Sequence, residues 1–143
     1  MQIYFTKISD EEHQVKIIRT DSTTEQLKLN SRSFLRHDFA HLAAELTLDL
    51  QQGYWGSVAK GSDLLGKTIQ GDDIAKAEAL VVRLQGLMRE EAAADKYVAV
   101  LKTAKPDLID SELAFKIHER ARQIQGHWRS TPYGESMLIE WPE

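Results

Sequence analysis

Residues 33–50, SFLRHDFAHLAAELTLDL, decide the fold. Leu35, Phe39, Leu42, Leu46 and Leu50 recur at spacings of 4, 3, 4 and 4. At about 100° per residue they stay within one narrow stripe, which is the signature of an amphipathic helix. Ser31 or Ser33 can cap its start, and Gly53 sits where such a helix should stop. Upstream the period is different. Residues 2–8, QIYFTKI, and 13–19, HQVKIIR, alternate weakly and are β-rich, and the polar break between them has hairpin length. Residues 26–29, QLKL, read as a short third strand.

Downstream, residues 53–71 hold five of the eight glycines and read as a loop or a set of short helical turns. Tyr54 and Trp55 are expected to tuck back onto the core. A helical stretch starts at Asp72 or Asp73 and runs towards Lys102, either unbroken or interrupted near 92–95. Lys105 and Pro106 end it, because proline disfavours helix in the residue before it. Asp110 or Ser111 caps a further helix, whose stripe is Leu113, Ile117, Ala121, Ile124 and Trp128. A turn at 131–134, TPYG, leads into a closing strand at 137–141, MLIEW. The expected fold is α+β: one domain over residues 1–143, with a small antiparallel sheet (N-terminal hairpin plus C-terminal strand) packed against three to four helices.

Composition narrows the function classes. The chain has 143 residues with net charge −4, so it lacks the basic excess of a nucleic-acid binder. Mean hydropathy is −0.41, and no apolar run approaches the roughly 20 residues that span a bilayer. No basic segment followed by an apolar one opens the sequence, so no signal peptide is expected and the expected compartment is the cytoplasm. The absence of cysteine excludes disulfides, thiolate metal sites and a cysteine nucleophile.

Residues 61–68, GSDLLGKT, match the phosphate-loop pattern GxxxxGK[ST]. That chemistry requires a buried strand immediately before the loop and a helix opening at the Lys–Thr pair. Residues 54–60, YWGSVAK, contain no strand-like run, and Gly71 follows Thr68 too closely for a helix. The segment reads as a glycine-rich connector, and ATP or GTP is not expected.

The chemistry-bearing cluster lies in the helix at 33–50. His37, Asp38, His41 and Glu45 form a polar wedge beside the apolar stripe. His37 and His41 are four residues apart, which lets two imidazoles converge on one metal ion. Asp38 and Glu45 are the candidate acid/base carboxylates, and either could instead orient His41 by a hydrogen bond. Two histidines do not complete a coordination sphere, so a further ligand must come from elsewhere. His118, beside the stripe of the last helix, is the first candidate, ahead of Glu78, Glu90, Glu91 and Glu119. Arg120, Arg122 and Arg129 read as a solvated face or a modest anion patch. Trp55, Trp128 and Trp141 read as packing residues.

The segment 37–45, HDFAHLAAE, followed by 53–61, GYWGSVAKG, resembles a family of small uncharacterised bacterial proteins. Those proteins carry an HDxxHxxxE helix and then a GxWGxxAxG segment. The resemblance implies no activity, and it implies that residues 53–61 act as a unit with the helix. A looser similarity runs to ubiquinone-biosynthesis accessory proteins, which bind zinc and carry HDxxH with a glutamate twelve positions after the second histidine. That position is Gly53 here, so only the HDxxH element corresponds.

Three functional expectations follow. The first is a non-enzymatic binding or interaction module, with the wedge as a structural hydrogen-bond network and an unidentified protein or small molecule as partner. The alternative is a metal-binding protein or metal-dependent hydrolase that uses His37 and His41 with a carboxylate and a divalent transition metal. The third is a small-molecule pocket lined by Phe39, Trp55 and Trp128 with a histidine as polar anchor. The sequence leaves the oligomeric state open.

Overall fold

A computed structural model describes residues 1–65 and 72–142. The chain opens with three strands, β1 (Gln2–Lys7), β2 (Glu12–Ile18) and β3 (Thr24–Asn30). The helices α1 (Ser31–Leu48), α2 (Tyr54–Ala59), α3 (Asp72–Arg89), α4 (Ala94–Ala104) and α5 (Ser111–Ser130) follow. Strand β4 (Ser136–Glu140) closes the chain. The sheet order is β3-β2-β1-β4 and every pairing is antiparallel. The fold is therefore α+β, with the C-terminal strand added beside β1.

Register makes one face of the sheet apolar. Ile3 pairs with Ile17 and Ile139, and Phe5 pairs with Val15 and Met137. A period of two sends Ile3, Phe5, Val15, Ile17 and Met137 to the same side, where all are buried. The Phe5 ring meets Phe39 of α1 edge-on at 5.2 Å and Trp55 of α2 at 6.1 Å. Phe39 in turn meets Trp128 of α5 at 5.9 Å. Helix α1 thus lies over the sheet, with α2, α3 and α5 packed against it and α4 packed against α3 and α5.

Among the described residues five helices form where three to four are expected, for two local reasons. Residues 54–59 complete a short helix instead of a loop. The stretch after Asp72 divides because Glu91 takes φ 51°, and Ala92 N–H returns to Leu87 O at 3.0 Å. A left-handed residue with a returning amide is how helices commonly end. The same device stops α1 at Leu48, ahead of Gly53, since Asp49 is left-handed at φ 54° and its amide bonds Glu45 O. The cap at the start of α1 is Asn30, whose Oδ1 accepts from Ser33 N–H at 3.1 Å, so neither Ser31 nor Ser33 plays that part. Asp110 caps α5 as expected, accepting from Leu113 N–H at 2.8 Å. Of the GSDLLGKT segment, Gly66, Lys67 and Thr68 lie outside the described residues. The element before Gly61 is a helix, where the phosphate loop needs a strand. Among the described residues no helix is long and apolar enough to cross a membrane.

One buried group couples this sheet to pH. His13 on β2 is completely buried, with Nδ1 2.9 Å from Ser31 Oγ. Burial pushes its pKa below the ordinary 6.5, against a weaker upward pull from Asp38. Below 6.5 the unfolded chain takes up a proton that the folded His13 refuses. Stability present above 6.5 is therefore lost progressively as pH falls towards the lowered folded value. His13 should pull the thermal midpoint down between about pH 7 and about pH 5, so across that range the midpoint of His13→Gln should rise relative to that of the unsubstituted protein as pH falls. A constant difference between the two midpoints across that range would contradict this assignment.

Candidate metal centre

The site is built on the flank of α1 that faces away from α5. Phe39 and His41 are two residues apart and so about 160° apart around the helix. When Phe39 packs on Trp128, His41 must point to the opposite neighbour, which is α3. There Glu78 offers its carboxylate, with Oε1 2.9 Å from His41 Nε2. On the other edge of the same ring, His41 Nδ1 lies 2.8 Å from Glu45 Oε2. His41 and Glu45 are both completely buried, whereas the Glu78 side chain is 52% exposed.

His37 repeats the arrangement one turn earlier. Its Nδ1 is 3.5 Å from Asp38 Oδ1, and its Nε2 is 4.0 Å from Glu78 Oε1. The two imidazoles stack edge-to-face with centroids 4.6 Å apart. Each histidine therefore has a carboxylate behind its Nδ1 and shares Glu78 in front of its Nε2. One donor atom from each of His37, His41 and Glu78 lies within 4.8 Å of the others.

Charge balance shows what this geometry requires. A neutral imidazole carries one N–H, so it can donate to one carboxylate only. His41 faces two carboxylate oxygens within 2.9 Å. A neutral ring therefore donates to only one of Glu45 and Glu78, and turns a bare nitrogen lone pair to the other. For His37, the hydrogen bond to Asp38 is the main cause that raises its pKa above 6.5, with Glu78 and Glu45 adding to it and burial opposing. In the metal-free protein its contribution to stability is present below 6.5 and is lost as pH rises through the raised folded value.

Helix α2 is locked to this cluster by Glu45. The carboxylate uses Oε2 for His41 and Oε1 for Trp55 N–H, at 2.9 Å. Trp55 Nε1–H donates to Asp38 O at 3.2 Å. A Cβ on Gly53 would lie 2.5 Å from Glu45 Oε1, and one on Gly56 would lie 2.1 Å from Gln51 O. Gly53 therefore lets α2 close on α1, and Gly56 lets it pack against the linker backbone at Gln51. From the other side, the buried Arg19 donates to Val58 O at 2.7 Å and Ser62 O at 2.9 Å, and it pairs with Glu25. The Tyr54 ring lies 5.5 Å from His41, and its hydroxyl donates to Leu64 O. Burial, with Asp38 and Glu45 behind it, pushes the Tyr54 phenol pKa upward, so it stays a neutral donor.

The expected residues are distributed as follows. His37 and His41 converge, and the third member of the group is Glu78. His118 is on α5, with its ring 4.8 Å from Tyr97 and its Nδ1 buried without a hydrogen-bond partner. Glu90 and Glu91 pair with Lys96 and Arg129. Asp38 and Glu45 stand on the Nδ1 sides of the two rings, where they orient them. Trp55 is fully buried in the core and its ring meets Phe5, so it serves packing. A cavity of about 260 Å³ adjoins the wedge, lined by His37 and Asp38 with Leu29, Phe34, Tyr54 and Leu65 among its other walls. No protein-family model, curated protein or solved structure matches the chain.

Glu45→Ala would leave His41 Nδ1 and Trp55 N–H buried without partners. Urea unfolding should show a loss of about 3–5 kcal/mol, the usual result of breaking a buried pair from one side. Glu78→Ala, at a half-exposed carboxylate, should cost less than about 1.5 kcal/mol. Equal losses in the two variants would contradict the division of roles.

Proposed function

We propose that the protein binds one divalent transition-metal ion through His37 Nε2, His41 Nε2 and Glu78. The observation that carries this reading is the paired orientation of the histidines: carboxylates behind both Nδ1 atoms, and both Nε2 atoms turned to one shared oxygen. Metal-bound histidines commonly donate their second N–H to a carboxylate, which fixes the ring and makes the ligating nitrogen more basic. Donors about 2.0–2.1 Å from a tetrahedral zinc ion sit about 3.3 Å apart. The separations of 2.9 and 4.0 Å to Glu78 Oε1 bracket that value, and the three donor atoms lie within 4.8 Å of one another, so closing on one ion takes a rotamer adjustment of the half-exposed Glu78 together with a turn of the partly exposed His37 ring.

Two imidazoles and one carboxylate leave an ion with an open position for water or a substrate oxygen. Held by His37, His41 and Glu78, a divalent ion would supply Lewis-acid chemistry, lowering the pKa of a bound water or polarising a carbonyl or phosphoryl group. Asp38 and Glu45 act as positioning residues, and the cavity beside His37 supplies room for an organic ligand. This favours the metal-dependent reading over a purely structural network.

Elemental analysis of tag-free protein prepared in metal-free buffers tests the reading. It should find about one equivalent of zinc, iron or nickel, lost in His37→Ala/His41→Ala. Glu78→Gln should keep the fold and weaken zinc binding by more than about 10- to 100-fold, the loss expected when merely an outer partner of a ligand is removed. No bound metal, together with no thermal shift when zinc is added to the metal-free protein, would make the wedge a structural network.

A further inference from the structure

A second cavity, of about 350 Å³, lies in the groove between the start of α1 and the end of α5, on the flank of α1 away from His41. Its walls combine two chemistries. Leu35, Phe39 and Trp128 supply apolar and aromatic surface, and Arg32, Arg36 and Arg129 supply three guanidinium groups. Asp10 and Gln125 also line it, as does Ser31. The Asp10 carboxylate already accepts from the Tyr133 hydroxyl. Arg32 makes an exposed 3.5 Å pair with Glu11, and Arg129 pairs with Glu91. Arg36 is half-buried and has no ion-pair or hydrogen-bond partner among the described residues. A chain of net charge −4 thus concentrates three cations around one concave site and leaves the least exposed of them unpaired.

We propose that this cavity binds a small anionic aromatic molecule, with a carboxylate or phosphate head held by Arg36 and a flat apolar body against Phe39 and Trp128. A guanidinium matches either head group through paired N–H donors, and it is weakly enough hydrated to work in a partly buried site. The volume is within the range of small-molecule sites, at its lower end, which suits a one- or two-ring ligand. Glu11 and Glu91 offset Arg32 and Arg129, so the unpaired Arg36 is the cation left to hold the anion. The proposal is independent of the metal centre, because no ligand of that centre lines this cavity.

The test uses the full chain and three probes of one shape: 2-naphthoate, 2-naphthyl phosphate and the neutral 2-naphthalenemethanol. Titration by isotope-edited NMR should shift the Trp128 indole resonance, with the fully buried Trp55 indole unmoved. At least one anion should bind about tenfold or more tightly than the alcohol, and that preference should weaken as salt is raised. The tighter anion identifies the head group. Arg36→Gln should remove the preference while circular dichroism stays unchanged. Arg129→Gln provides a second variant and should reduce the preference if Arg36→Gln fails to fold. Equal binding of alcohol and anions would overturn the proposal. So would no binding of any probe at about millimolar concentration, or a preference that survives both substitutions.

Discussion

The buried pair of His41 and Glu45 is the constraint on which the rest of the molecule depends. Both side chains are withdrawn from water within the central helix, and each is satisfied only through the other and through neighbours from other elements. Glu45 reaches the backbone of α2, and His41 reaches Glu78 of α3. A buried carboxylate without partners costs several kcal/mol, so these contacts fix how α2 and α3 sit against α1. A hydrophobic pair would hold the helices together equally well, but it would not dictate which edge of an imidazole faces outward. The polar network does: Glu45 takes the Nδ1 edge of His41 and Glu78 meets the Nε2 edge.

The fold was largely legible because its signals are local. Alternation at 2–8 and 13–19 sends Ile3, Phe5, Val15 and Ile17 to one sheet face, and the 4-3-4-4 spacing of Leu35 to Leu50 builds α1. The boundaries moved where a backbone conformation overrode composition. Asp49 and Glu91 take left-handed geometry that no glycine announces, and Asn30 caps α1 from within the last residue of a strand. The spacing of the glycines around Trp55 marks a close approach, and the sequence alone could not say to what. The structure answers that Gly53 leaves room for the Glu45 carboxylate and Gly56 for the Gln51 backbone.

The site was legible only in its local half. His37, Asp38, His41 and Glu45 share one helix, so their wedge follows from 3.6 residues per turn. Glu78 and His118 offered the same kind of signal, each a polar residue beside a buried stripe, at Val81 and at Ile117. What separates them is which neighbour α1 turns its wedge toward. That choice follows from Phe39 engaging Trp128 on α5, a long-range contact with no trace in local spacing. The same choice divides α1 into two chemical flanks, a carboxylate–imidazole side towards α3 and an arginine–aromatic side towards α5.

The central claim is that Glu45 holds the proton on His41 Nδ1 and so presents Nε2 as a ligand. Long-range proton–nitrogen correlation spectra of ¹⁵N-labelled, zinc-loaded protein read this directly, because they report which ring nitrogen carries the proton and which carries the metal. The account predicts a protonated, slowly exchanging Nδ1 and a zinc-bound Nε2 at His41. Protonation at Nε2, metal at Nδ1, or an imidazole unchanged by zinc would contradict it.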